Sequence, residues 1–134
     1  MDEFVDFVSE QLTAREKEML QPSSGNESTR LLHLYRMWTV KEAYTKALGE
    51  GVGYDFARIE YDVHNQVVKV DGKVPHGWEI ISFLVPHRDD NYVVSVACQV
   101  GGDMSRMLHL DAPPDGLVTF VSVETLAKEF TPLK

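Results

Sequence analysis

Glu42 and Lys46 stand four residues apart in a stretch, Leu34 to Leu48, that contains neither proline nor glycine. On a helix that spacing sets the two side chains next to each other. A carboxylate beside an aromatic surface can bind Mg²⁺ through oxygen, and Mg²⁺ can bridge to a pyrophosphate. A lysine one turn further on supplies a point charge for a phosphate. The same two residue types also make an ordinary surface ion pair worth a few tenths of a kcal/mol. Residue types and spacing alone leave both readings open.

The rest of the chain offers little competing chemistry. Cys98 falls mid-strand among Val94, Val96 and Val100, so a buried, inert thiol is expected. His87-Arg88-Asp89-Asp90 reads as a hairpin turn rather than a metal loop. His33, His64, His76 and His109 have no mutual ligand spacing. There is no Gly-x-Ser-x-Gly elbow, phosphate-binding Walker loop or dinucleotide fingerprint.

The elements that must position Glu42 and Lys46 are legible in the pattern. Phe4, Phe7, Val8, Gln11 and Leu12 form a helical stripe. Thr13-Ala14-Arg15-Glu16 has capping-box spacing, so a second helix is expected from Ala14 to about Leu20. Ser28 is the expected cap of the longest helix, Thr29 to Leu48, which Gly49 terminates. Stepping about 100° per residue from Val40, the residues Met37, Ala43, Tyr44, Ala47 and Leu48 share its face. Leu31, Tyr35 and Trp38 lie on the opposite side, around Glu42. A helix with two apolar sides is covered twice, by the domain's own sheet and by either the N-terminal helices or a second protein body.

Beyond that helix the period changes to two. Strands are expected at Phe56 to Val63, Val67 to Val70, Trp78 to Val85, Tyr92 to Cys98 and Leu117 to Val123, with a closing helix from Glu124 to Phe130. Gly101 to Gly116 reads as a loop. The expected class is α+β: N-terminal helices, one of them long, packed on an antiparallel sheet of about four to five strands.

Composition sets the bounds. The 134 residues suit a single domain spanning 1–134. Thirteen Lys plus Arg against 21 Asp plus Glu give a net charge of −8, the wrong sign for a nonspecific phosphate-backbone footprint, so no nucleic-acid partner is expected. One cysteine excludes an internal disulfide. No apolar run approaches a membrane span and the acidic N-terminus does not read as a signal peptide, so the expected setting is cytoplasmic.

The wording of Leu34 to Gly51 narrows the choice. Trp38, Lys41, Glu42, Lys46, Gly49 and Gly51 reproduce the W-x-x-K-E-[AS]-x-x-K-x-x-G-x-G signature, and the stretch resembles the 4′-phosphopantetheinyl transferases. The resemblance is to the type with two pseudo-symmetric halves, the surfactin-synthetase-activating and aminoadipate-semialdehyde-dehydrogenase-activating enzymes. Gly53 to Val63, Tyr92 to Ala97 and Val118 to Leu126 resemble later elements of the same C-terminal half.

That resemblance implies transfer of the phosphopantetheine arm of coenzyme A to a serine of an acyl or peptidyl carrier protein, with Mg²⁺ on the pyrophosphate. It implies Glu42 as metal ligand ahead of general base, Lys46 on the coenzyme A phosphates, and Lys41 near the same site. It leaves Trp38 to packing and Gly49 and Gly51 to turn geometry. The family's other metal carboxylates belong to a G-x-D-x-x-E segment. Met1-Asp2-Glu3-Phe4 does not fit that segment, and Asp2 or Glu3 would be at most remnants of it. The expectation is a C-terminal half that transfers little without an N-terminal half, and that either covers or self-associates through the half–half face. The alternative is a non-catalytic binding or dimerisation module retaining the fold.

Overall fold

A computed structural model describes residue 6 and residues 8–50 and 53–116. The expected strand at 117–123, the expected helix at 124–130, and Asp2, Glu3 and Gly51 lie outside the described residues.

Thr13 opens an α-helix, α1 (Ala14–Met19), with a reciprocal capping box. Its hydroxyl accepts from the Glu16 N–H at 3.2 Å, and its own N–H donates to Glu16 Oε1 at 2.9 Å. The long helix α2 runs over Glu27–Leu48. It starts two residues earlier than the pattern suggests, because Asn26 rather than Ser28 takes the cap, its Oδ1 accepting from the Thr29 N–H at 2.8 Å. Gly49 ends it in the left-handed conformation, φ +78°, with its N–H returned to the Lys46 and Thr45 carbonyls.

Among the described residues five strands follow, in two sheets rather than one. β1 (Ile59–Asp62) and β2 (Val67–Val70) form an antiparallel hairpin, and Asp62 Oδ1 fastens its turn by accepting from the N–H groups of His64 and Asn65. β3 (Trp78–His87) and β4 (Asp90–Gln99) are longer than expected and meet at the two-residue turn Arg88-Asp89. β5 (Arg106–His109) lies in the stretch read as a loop and pairs parallel to β3, giving the order β4-β3-β5.

The expected α+β class is what the fold shows, and the antiparallel expectation is corrected at one pairing, the parallel β3–β5. After β4 the chain crosses beside the start of β3, where the N–H groups of Val100 and Gly101 both donate to the Gly77 carbonyl. Gly77, at φ +76°, makes this crossing possible, since a Cβ there would stand 2.9 Å from the Gly101 carbonyl carbon.

Leu34, Met37 and Val40 of α2 are fully buried with Ile59 and Tyr61 of β1. α2 packs against β4, β1 and α1. Tyr35 nevertheless remains 45% exposed. Ala47 and Leu48 are exposed in place of the burial expected for them, and the inward face takes in Arg30, Arg36, Lys41 and Thr45 instead. Cys98 is also exposed, on the outward side of β4, which corrects the buried-thiol reading. No described helix is long and apolar enough to cross a membrane.

Arg36 ties the layers together. It is 1% exposed and donates to Ser82 Oγ (2.9 Å) and Ser82 O (3.1 Å) of β3 and to Leu110 O (2.8 Å) just beyond β5. Around it stand His33, edge-on to His64 at 5.5 Å, and His109, whose Nδ1 shares a hydrogen bond with the Tyr61 hydroxyl.

Burial first, then His64 and Arg36, hold His33 below the ordinary imidazole value of 6.5. Burial, Arg36 and His33 do the same to His109, with Asp111 opposing. The unfolded chain therefore binds protons that the folded protein refuses, so stability is complete above about pH 6.5 and falls as pH drops through it. The urea midpoint is expected to be lower at about pH 5.5 than at about pH 7.5, and His33→Gln to shrink the difference. Equal midpoints at the two pH values would contradict this reading.

Candidate functional site

Trp38, Glu42 and Lys46 occupy successive turns of α2. The Trp38 Nε1–H donates to Glu42 Oε1 at 3.1 Å, and Lys46 Nζ stands 3.6 Å from Glu42 Oε2. Lys46 is 78% exposed and Glu42 41%, so the ion pair is loose and its members are available. They line a groove of about 500 Å³ between α2 and β4, together with Thr39, Ala43 and Val93 to Ser95. On that lining the hydroxyls of Thr39 and Ser95 lie 2.8 Å apart. Thr39 and Val93 also belong to an adjoining groove with Tyr35, Asp90, Asn91 and Tyr92.

Lys41 does not join them. Its side chain is fully buried, and Nζ shares its three protons among Glu16 Oε1 (2.6 Å) and the carbonyls of Ile59 (2.6 Å), Phe56 (2.8 Å) and Gln11 (2.9 Å). Glu16 in turn accepts from the Tyr61 N–H at 3.0 Å through Oε2. Burial pulls the Lys41 ammonium down and pushes the Glu16 carboxyl up, while their mutual attraction opposes both. With only acceptors around it, Nζ is an ammonium that fastens α2 to α1 and β1.

In the sequence Glu16 reads only as the closing glutamate of the Thr13–Glu16 capping box. The missed signal was the company Lys41 keeps on its helix face: Leu34, Met37, Tyr44 and Thr45 stand at i−7, i−4, i+3 and i+4. A lysine so surrounded is buried and needs a partner.

The donor set suits a shared cation site. Glu42 is the one carboxylate lining its groove, and no cluster of three or more metal-ligating side chains occurs among the described residues. Mg²⁺ takes one or two carboxylates and completes its shell with waters and substrate phosphates. Glu42 fits as one such ligand and does not make a site by itself.

The family model of the 4′-phosphopantetheinyl transferase superfamily matches residues 2–97. A 4′-phosphopantetheinyl transferase of Paxillus involutus is 45% identical over 113 residues, covering 81% of this chain and 43% of that protein. The L-aminoadipate-semialdehyde dehydrogenase-phosphopantetheinyl transferase of Homo sapiens is 32% identical over 122 residues, 83% of this chain and 37% of that protein. The Mus musculus protein of the same name is 32% identical over 106 residues, 71% of this chain and 33% of that protein. The chain thus spans about 33–43% of the length of these relatives. With Trp38, Glu42 and Lys46 of the signature on one helical ladder and the family model covering residues 2–97, the chain belongs to the 4′-phosphopantetheinyl transferase superfamily.

Proposed function

We propose that this chain supplies one wall of a transferase site that moves 4′-phosphopantetheine from coenzyme A to a carrier-protein serine. The serine oxygen attacks the β-phosphorus of coenzyme A, the bond to the bridging oxygen breaks, the serine proton passes to solvent water, and adenosine 3′,5′-bisphosphate leaves with the bridging oxygen. Bound Mg²⁺ would withdraw charge from the pyrophosphate oxygens. Glu42 would hold it through Oε2, the oxygen turned to Lys46 rather than to the indole.

Lys46 can leave Glu42 at little cost, because an exposed pair at 3.6 Å is worth well under about 1 kcal/mol. It would then neutralise a phosphate oxygen. Thr39 and Ser95 offer hydroxyl contacts on the same wall. Lys41 contributes indirectly, by fixing the helix that carries Glu42.

The observation that carries this reading is the contrast along one helix. Arg36 and Lys41 are spent on buried partners, whereas Glu42 and Lys46 face open space. Because one carboxylate is too few, we propose that the remaining ligands come from an N-terminal half like that of the longer relatives. The exposed Tyr35 and Tyr92, at 45% and 54%, support such a second body, or a second copy of this chain, against the groove.

The test is Mg²⁺-dependent labelling of an apo carrier protein with fluorescent coenzyme A, by this chain alone and mixed with the N-terminal part of the Paxillus involutus relative. Labelling only on mixing is expected. Normal labelling by the chain alone would remove the need for a second half. A silent mixture, beside active controls made from the relative's own two parts, would favour a binding or dimerisation module.

A further inference from the structure

Glu42 has three rotatable bonds, lies on a helix surface and is 41% exposed, so its carboxylate has no steric reason to keep one orientation. Two groups touch it, and they differ in permanence. Lys46 is mobile, carries a charge and would be drawn to any phosphate entering the groove. The Trp38 indole has a single donor and no acceptor, and its ring packs edge-on against Phe56 at 5.2 Å. The aromatic contact fixes the ring, the ring fixes the N–H, and the N–H holds Glu42 Oε1 at 3.1 Å.

We infer that the Trp38 indole N–H is a positioning group for Glu42. It occupies one carboxylate oxygen so that the other presents its lone pairs to a divalent cation–diphosphate in the groove. The inference rests on the proposed function and assigns to Trp38 a polar task beyond packing. Hydrogen-bond partners that orient a metal-ligating side chain typically contribute about 10–100-fold in metal affinity or activity.

The first test reads the hydrogen bond directly in this chain, through the indole ¹H–¹⁵N resonances of Trp38 and Trp78. Glu42→Ala is expected to move the Trp38 signal while leaving that of Trp78, and Lys46→Ala to move neither. Glu42→Gln, which keeps an oxygen acceptor, should preserve most of the shift. A Trp38 signal indifferent to Glu42→Ala overturns the inference.

The second test uses the chain mixed with the N-terminal part of the relative, with Mn²⁺ as the probe and free ion followed by electron paramagnetic resonance in the presence of coenzyme A. Trp38→Phe keeps a ring against Phe56 and removes the N–H. It is expected to weaken Mn²⁺ binding about tenfold, with labelling recovering toward wild type at saturating metal. A purely structural role would instead lower labelling at every metal concentration, together with the urea midpoint. An unchanged Mn²⁺ affinity in a mixture that labels normally refutes the positioning role alone. A wild-type mixture that neither labels nor binds Mn²⁺ refutes the transferase reading and the metal-orienting role together.

Discussion

Lys41→Met is expected to lower the unfolding free energy by about 3–5 kcal/mol, the usual cost of removing one partner from a buried ion pair. Methionine matches the length of the lysine stem and fills the same space, so the loss is electrostatic rather than a cavity. Glu16 would be left fully buried, still accepting from the N–H groups of Thr13 and Tyr61. The carbonyls of Gln11, Phe56 and Ile59 would lose their donor.

The variant should also show a pH signature. Without the ammonium, burial is opposed only by the Thr13 and Tyr61 N–H groups and raises the Glu16 carboxyl further above its unfolded value. A raised acid contributes stability that is present at low pH and lost as pH rises. The gap between variant and wild type is therefore expected to be wider at about pH 8 than at about pH 5.

Glu16→Leu combined with Lys41→Met removes both charges and should cost less than the sum of the single changes. It should still not reach wild type, because each orphaned backbone group costs about 1–3 kcal/mol. Urea unfolding of the four proteins closes the cycle. Single variants with wild-type midpoints, or a gap that ignores pH, would mean that the pair does not hold α2 in place.

This pair also shows where sequence reading stops. Local signals carried well: the Thr13–Glu16 box starts α1 where its spacing says, and Gly49 ends α2. Both depend on residues within four positions of one another. The start of α2 was misjudged because Asn26, Ser28 and Thr29 all have capping side chains, and only backbone geometry chooses among them.

Long-range satisfaction was not legible. Arg36 reaches Ser82 and Leu110, and Lys41 reaches Glu16 and Ile59, across 18 to 74 positions. A helical wheel that assigns cations to solvent turns that face the wrong way. β5 escaped for a related reason. Four residues carry too short an alternation to register, and its partner β3 lies across a crossover rather than a hairpin. The candidate site was legible because Trp38, Glu42 and Lys46 meet through i,i+4 spacing alone, without help from the rest of the fold.

Glu42→Ala is expected to have the opposite profile to Lys41→Met. Its side chain is partly exposed, and it surrenders one indole hydrogen bond and a loose ion pair. The urea midpoint should therefore correspond to wild type within about 0.5 kcal/mol. Carrier labelling by the completed enzyme should fall by on the order of 100-fold or more, as when a group aimed at developing charge is removed. Lys46→Ala should act chiefly on coenzyme A, raising its KM more than it lowers kcat, because a phosphate contact serves ground state and transition state alike.

The two neighbours on the helix thus separate cleanly. Lys41 is expected to keep α2 where it is, and Glu42 to serve the reaction proposed for the groove. Labelling rate and urea midpoint, measured on the same preparations of both variants, distinguish the roles. A Glu42→Ala protein that labels normally removes Glu42 from the metal site whatever its stability. A Glu42→Ala protein that loses stability and labelling in proportion makes the groove a structural feature of the fold.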